Sequence, residues 1–326
     1  MINVALVGAG TMGSYHARVV SSSDRAVLSR VVDGYRPVGE PVAQRYGARW
    51  TESLDDLDGI DAVIVAASTE AHFDLAKQVL EAGVPLLVEK PVVNDLERSR
   101  EIVELSASQS VPLLCGLLER FNPSVVTARE LLRDPLHITA TRHSPYAPRI
   151  RTGVAWDLLI HDVDLAIGMF GTSPTATTGA LGYFSPQSAT GAEDVASATL
   201  TFGDGQVAQL SASRIGQKKD RTLTVHELDR LIEIDLLRRD VTVYRHGVVD
   251  PTGVDGRGYR QQTTIEIPEI TNAREPLAAQ FDHFLDLVAG VTDPDVERNS
   301  ILPSHAVIDQ LLTARAASAG IVQPAN

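Results

Sequence analysis

Through the first 115 residues, short apolar runs alternate with stretches that are apolar on one side only. Ile2–Val7, Leu28–Val32, Ala62–Ala67, Pro85–Val88 and Val111–Cys115 each predict a strand. Their nearly continuous apolar character, without strict alternation, predicts a sheet covered on both faces. Between them, His72–Ala82 and Asp95–Ser108 carry the spacing of amphipathic helices. Strand, helix, strand in this rhythm predicts βαβ units and a doubly wound parallel sheet, an α/β domain over residues 1–121.

The pattern changes after Asn122-Pro123. A helix is predicted over Ser124–Arg133, then a Pro/Arg-rich loop through Arg151, then a strong helix over Ala155–Phe170. Strand-like segments follow at Thr178–Phe184, Ala196–Phe202, Val207–Arg214, Thr222–Glu227, Leu231–Asp235 and Val241–Arg245, with Gly203-Asp204-Gly205 as a hairpin turn. Consecutive strands with short links predict a large, mainly antiparallel open sheet in an α+β domain over residues 122–326. Gly247–Gln262 reads as a loop or hairpin tip, and Glu275–Ala289 and Ser304–Ala319 as helices that close this second domain.

Composition narrows the field by exclusion. The 326 residues carry a net charge of -13. An acidic surface disfavours phosphate backbones and anionic lipid, so neither nucleic acid nor a membrane is an expected partner. The lone cysteine, Cys115, cannot form an intramolecular disulfide or a sulfur-based zinc cluster, and no metal is expected. Residues 1–8 lack the features of a signal peptide, and no apolar run approaches the roughly 20 residues of a membrane span. A cytoplasmic protein is the expectation.

Chemistry enters at three places. Gly8-Ala9-Gly10-Thr11-Met12-Gly13 follows the first strand and opens a helix, the geometry in which glycines and free helix N–H groups cradle a pyrophosphate. Asp33 lies twenty residues past Gly13, where a carboxylate accepts ribose hydroxyls and favours NAD, although Arg36 nearby keeps NADP open. Lys90, after the strand ending at Val88, falls at the carboxyl edge of the sheet, where a lysine can stabilise developing alkoxide charge. Asp157 and His161 are four residues apart on one helix, so a carboxylate can orient an imidazole that acts as general base. Arg142, Arg149 and Arg151 precede that helix and could hold a diphosphate; Tyr146 beside them could stack on a base.

These pieces resemble the Gfo/Idh/MocA oxidoreductases, over nearly the whole chain. The resemblance rests on Gly8–Gly13 with His16-Ala17-Arg18, Ala67-Ser68-Thr69 followed by His72, Glu89-Lys90-Pro91, and Asp157 with His161. Gly116–Pro123 and Ser144–Ile150, followed by Gly153-Val154 and Asp157–Asp164, look like motifs of a nucleotide-sugar branch, the UDP-N-acetylglucosamine 3-dehydrogenases. The resemblance implies a Rossmann domain and a second domain whose open sheet often mediates oligomerisation, hence a homodimer or homotetramer. It implies NAD held by Gly8, Gly10, Thr11, Met12, Gly13, Asp33, Ala67, Ser68, Thr69, His72, Glu89, Lys90 and Arg120. It implies catalysis by Lys90, His161 and Asp157, with substrate also bound by Asn122, Arg142, Tyr146, Arg149 and Arg151. The expected reaction oxidises a sugar hydroxyl to a ketone, at C3 of a UDP-hexose in amino-sugar biosynthesis. A free polyol, inositol or aminoglycoside sugar is the alternative substrate, and a non-catalytic NAD-binding redox sensor is the alternative of another class.

Overall fold

The computed structural model describes residues 1–148, 150–249, 260–270 and 274–318. Six parallel strands form the first sheet: β1 (Ile2–Val7), β2 (Ala26–Val32), β3 (Arg49–Thr51), β4 (Ala62–Val65), β5 (Leu86–Val88) and β6 (Leu113–Cys115). Their order is β3-β2-β1-β4-β5-β6, which reverses direction of growth at β1, the switch point where ligands collect outside the strand ends. The helices between them are α1 (Thr11–Ser21), α2 (Arg36–Tyr46), α3 (His72–Glu81) and α4 (Leu96–Gln109). Continuous apolar character in β4, β5 and β6 matches complete burial of their residues.

The second sheet has eight strands: β7 (His137–His143), β8 (Ala176–Gly182), β9 (Val195–Thr201), β10 (Val207–Ser213), β11 (Asp220–His226), β12 (Leu231–Asp235), β13 (Asp240–Val249) and β14 (Arg260–Glu266). The order is β14-β13-β12-β11-β7-β10-β9-β8, antiparallel except where β7 lies parallel to β10. Side chains alternate buried and half-exposed along β7, β9 and β10, the signature of a sheet with one covered face. α5 (Pro123–Leu131) precedes this sheet, and α6 (Ile160–Phe170) continues directly from a single π-helical turn, Ala155–Leu159. The remaining helices are α7 (Pro276–Val288) and α8 (Pro294–Ser318). Among the described residues no helix is long and apolar enough to cross a membrane.

Four elements, α2, β3, β7 and β14, depart from expectation. α2 and the three-residue β3 carry no unbroken apolar run, and α2 contains Pro37, Gly39 and Pro41. β7 falls inside the segment expected to be loop, because His-Ile-Thr-Ala-Thr-Arg-His is polar at every second position. β13 and β14 pair antiparallel at the ends of the glycine-rich stretch, whose centre, 250–259, lies outside the described residues.

The chain folds into two compact units, one built from Met1–Leu118 and Arg274–Asp309, the other from Glu119–Ala273 and Gln310–Asn326 over their described residues. The switch after β6 lies close to the expected boundary at 121/122, but α7 returns to the first unit instead of closing the second. Leu277, Phe281, Phe284 and Leu285 join Ala17, Val20, Ala26 and Leu28 in one buried core. Arg18 pairs with Glu275, and Arg25 with Asp286 at 2.7 Å.

Candidate active site

In the first unit the glycines are required by geometry. Gly8 has φ +90°, and a Cβ there would lie 2.6 Å from the Ala67 nitrogen; one on Gly13 would lie 1.9 Å from the Gly8 carbonyl oxygen. Gly10 meets no protein atom within 4 Å of a Cβ position, so the protein leaves its outer side open. No side chain caps the N-terminus of α1, which leaves the N–H groups of its first turn, Thr11 to Gly13, for an anion. Asp33 joins this loop to the second strand end. Its Oδ2 accepts the Ala9 N–H at 2.8 Å and its Oδ1 the Tyr35 N–H at 2.8 Å. Arg36 is engaged on its own helix: Nε and Nη2 both donate to Glu40 at 2.9 Å, and the guanidinium lies 5.2 Å from the Trp50 ring. The open, uncapped glycine turn with a carboxylate beside it fits a dinucleotide pyrophosphate and adenosine ribose.

At the ends of β4 and β5, Ser68 is exposed while Ala67, Thr69 and Lys90 are half-buried. His72 and Glu89, expected to touch the cofactor, lie beneath this edge. His72 is 1 % exposed, with Nδ1 facing the Pro91 carbonyl at 2.9 Å and Nε2 the Ala67 carbonyl at 3.2 Å, so it ties two strand ends together. Glu89 is 9 % exposed and bonds His16 Nε2 at 2.7 Å, while its other oxygen accepts the Lys90 N–H at 3.3 Å. Burial opposes the Glu89 charge, but the His16 hydrogen bond, the charges of His16 and Lys90 and the Lys90 N–H together hold it below the usual carboxylate range. Gly116 makes room, since a Cβ there would meet Glu89 Oε2 at 2.7 Å.

In the second unit, Asp157 and His161 are the half-buried residues of a segment whose neighbours Trp156, Leu158, Leu159, Ile160 and Val163 are buried. The π turn begins on Glu193: Ala155 N–H donates to Glu193 Oε1 at 2.6 Å and Val154 N–H to its carbonyl at 3.1 Å. A carboxylate at that position also favours the helix dipole. Asp162 and Asp164, on either side of Val163, anchor the helix from its buried side. Asp162 receives Arg142 Nε and Nη2, the latter at 2.7 Å, and Asp164 receives Arg120 Nε at 2.7 Å and Nη2 at 2.5 Å.

Two expected ligand contacts, Arg142 and Asn122, are spent inside the protein. Arg142 is 2 % exposed and donates to Asp162 and, through Nη1, to Glu119 at 2.7 Å; its fork is spent inside the protein and cannot hold a diphosphate. Burial would lower the Arg142 pKa, but the Asp162 and Glu119 charges raise it further above its ordinary high value. Arg120, half-buried, gives Nε and Nη2 to Asp164. Asn122, 3 % exposed, caps α5 through Ser124 N–H at 3.2 Å and donates to Glu119 at 3.1 Å and to the Leu236 carbonyl at 3.1 Å. Tyr146 is half-buried and Arg151 exposed in the loop before the helix, while Arg149 lies outside the described residues. Sequence reasoning named His16 and Glu119 only within motifs, without their partners, and passed over Glu193. For Glu119 a signal existed: two aspartates among the apolar residues of one helix demand buried cations, and Arg142 in turn has room for a second carboxylate.

Residues 2–117 match the Gfo/Idh/MocA description "Oxidoreductase family, NAD-binding Rossmann fold", and residues 126–227 match the Gfo/Idh/MocA C-terminal domain, between them about two thirds of the chain. The chain belongs to the Gfo/Idh/MocA oxidoreductase family. Its nucleotide site is accordingly an NAD site. Among curated members, it is 28 % identical over 291 residues to UDP-N-acetylglucosamine 3-dehydrogenase of Acidithiobacillus ferrooxidans, covering 88 % of this chain and 89 % of that one. The crystal structure of that protein superposes with a TM-score of 0.83 at 26 % identity, covering 96 % and 97 % of the two chains. GenD2 from gentamicin A biosynthesis, solved in complex with NAD, gives a TM-score of 0.81 at 26 % identity, covering 98 % and 95 %. An inositol 2-dehydrogenase of Rhizobium meliloti is 29 % identical over 65 % of this chain and 69 % of its own.

Proposed function

We propose that this enzyme oxidises the C3 hydroxyl of a UDP-hexose, UDP-glucose or UDP-N-acetylglucosamine, to a ketone. The reading is carried by full-length likeness to a UDP-N-acetylglucosamine 3-dehydrogenase, in sequence and in backbone. NAD supplies the hydride acceptor. His161 takes the hydroxyl proton, and Asp157, four residues earlier, orients the imidazole. Lys90 donates a hydrogen bond to the reacting oxygen and stabilises alkoxide charge as it develops. Gly8 to Gly13 and Asp33 hold the dinucleotide, with Ala67, Ser68 and Thr69 along its edge, and Tyr146 and Arg151 contact the substrate. With NAD bound there, the carbinol carbon would give its hydride to the nicotinamide while its oxygen gives its proton to His161. The enzyme works in the cytoplasm as a homodimer or homotetramer through the half-exposed face of the eight-stranded sheet, where Thr139, Thr141, Thr199 and Ser211 stand.

A second reading, oxidation of an uncharged or cationic sugar such as an aminoglycoside ring, is favoured by the likeness to GenD2 and by the net charge of -13. Nicotinamide reduction with NAD or NADP, against UDP-glucose, UDP-N-acetylglucosamine, myo-inositol and an aminoglycoside, separates the two. Turnover confined to UDP-sugars supports the first, and turnover confined to the others rejects it. His161→Ala and Lys90→Met are expected to cut kcat by about 10²- to 10⁴-fold, the usual range for general acid–base groups. Calorimetric NAD binding to His161→Ala should stay near the wild-type value; near-normal turnover in that variant removes His161 from the role of base.

A further inference from the structure

Among the described residues three histidines are buried, His16, His72 and His305, at 1 %, 1 % and 0 % exposure. They stand on three helices, α1, α3 and α8. All three bond one stretch of four residues, Glu89 to Val92, which has Lys90 within it. His16 Nε2 meets Glu89 Oε1 at 2.7 Å, His72 Nδ1 faces the Pro91 carbonyl at 2.9 Å, and His305 Nε2 takes the Val92 N–H at 3.1 Å. The chain on both sides of Lys90 is thus tied to buried rings, while Lys90 itself is half-buried at the sheet edge.

The far side of each ring shows how it is aimed. His305 Nδ1 faces the Ile301 carbonyl at 2.9 Å, one turn earlier in α8, so Nδ1 carries a proton and Nε2 is left as the acceptor for Val92. His72 Nε2 faces the Ala67 carbonyl at 3.2 Å and so joins the Pro91 position to the end of β4. His16 Nδ1 is buried without a hydrogen-bond partner, so Glu89 is the one group this ring bonds. The strand end beneath Lys90 is pinned as well: Glu89 N–H donates to the Val65 carbonyl at 2.9 Å and Gly116 N–H to the Val88 carbonyl at 2.7 Å. A buried polar ring costs free energy unless it is bonded, and an apolar side chain fills a core without that cost. Three such rings converging on one four-residue stretch therefore point to a demand for precise placement. A reacting group misplaced by about 1 Å can lose on the order of 10²-fold in rate.

We propose that His16, His72 and His305 are positioning residues of the reaction, acting through Lys90 by holding the backbone that carries it. This rests on Lys90 as the donor to the reacting oxygen and on no particular sugar.

The test is a double-mutant cycle on kcat, run with NAD and UDP-N-acetylglucosamine, or with whichever sugar of the panel above is turned over. His305→Leu removes the acceptor for Val92, and His305→Gln keeps one at similar reach. His16→Leu and His16→Gln do the same for the donor to Glu89. Each is made in the wild type and beside Lys90→Met, where the residual rate is read at high enzyme concentration, with NAD affinity and melting temperature measured alongside. In the wild type the Leu variants are expected to lose about tenfold or more in kcat, and the Gln variants to recover most of it, with NAD affinity held. Beside Lys90→Met the same substitutions should change kcat by less than about twofold, because residues that act through one group are not additive. Where His305→Leu precipitates, His305→Asn, too short to reach Val92, takes its place in the cycle. An equal fall in both backgrounds overturns the proposal, since the histidines then serve the fold and not Lys90; wild-type kcat in the Leu variants overturns it too. Near-normal turnover in Lys90→Met overturns the role of Lys90 and the proposal with it.

Discussion

Glu89 and Lys90 are adjacent in the chain and have opposite environments. The glutamate is buried on His16 at 2.7 Å, and the lysine is half-buried at the sheet edge. Because the folded-state pKa of Glu89 is depressed, its contribution to stability is present above the pKa of an unfolded glutamate and is lost as pH falls through the depressed value. Thermal melts across the acid range should therefore show a fall in melting temperature below the ordinary glutamate pKa. Glu89→Gln should flatten that limb while losing about 1.5–3 kcal/mol at neutral pH, the scale of a hydrogen bond to a charged group. Asp33 fixes the Ala9 N–H of the glycine turn, and in the proposed function it also presents its carboxylate to the ribose. Asp33→Ala is expected to weaken NAD binding about tenfold or more, a loss of about 1.4 kcal/mol, and to narrow the preference for NAD over NADP; titration of both dinucleotides measures it. The places of the glycine turn, Asp33, Lys90, Asp157 and His161 in the fold were legible because each depends on spacing along one or two elements. The fates of Arg142, Arg120 and Asn122 were not, because whether an arginine faces a ligand or a buried carboxylate depends on strands and helices far apart in sequence.

The helix that carries Asp157 and His161 is held at its start by Glu193 and along its length by two arginines. A π turn at its beginning is a feature often found at functional sites, and here Asp157 sits within it while His161 follows in regular α-helix. Removing Arg142 would leave the buried Asp162 carboxylate uncompensated and Glu119 with only the Arg221 guanidinium, at 3.5 Å. Arg142→Met is therefore expected to destabilise the protein by about 3–5 kcal/mol, a large part of the ~5–15 kcal/mol typical of a domain. In denaturant titration the loss should appear as a lower midpoint without any selective weakening of substrate binding. A rise in substrate KM at unchanged stability would restore Arg142 as a ligand contact. At this scale β4, β5 and β6 could be read from their apolar runs. β7 could not, because its alternation of buried Ile138, Ala140 and Arg142 with half-exposed partners includes a charge in the buried set.

For the whole molecule, the decisive feature is that α7 belongs to the NAD-binding unit although some 150 residues of the second unit precede it. Its amphipathic pattern predicted a helix correctly, but nothing local states which core Leu277, Phe281 and Phe284 enter. A chain ending at residue 273 should lose this part of the core against α1 and β2 and should precipitate or fail to bind NAD, even though every residue of the glycine turn is present. Light scattering and NAD titration of the shortened protein test this, and a soluble, NAD-binding product would refute it. The same arrangement sets a timetable for biosynthesis. At roughly 5–20 residues per second, the β1–β6 sheet leaves the ribosome on the order of ten seconds or more before α7 does. During that interval the nascent sheet waits with part of its apolar surface uncovered, and the last helices of the chain complete what its first residues began.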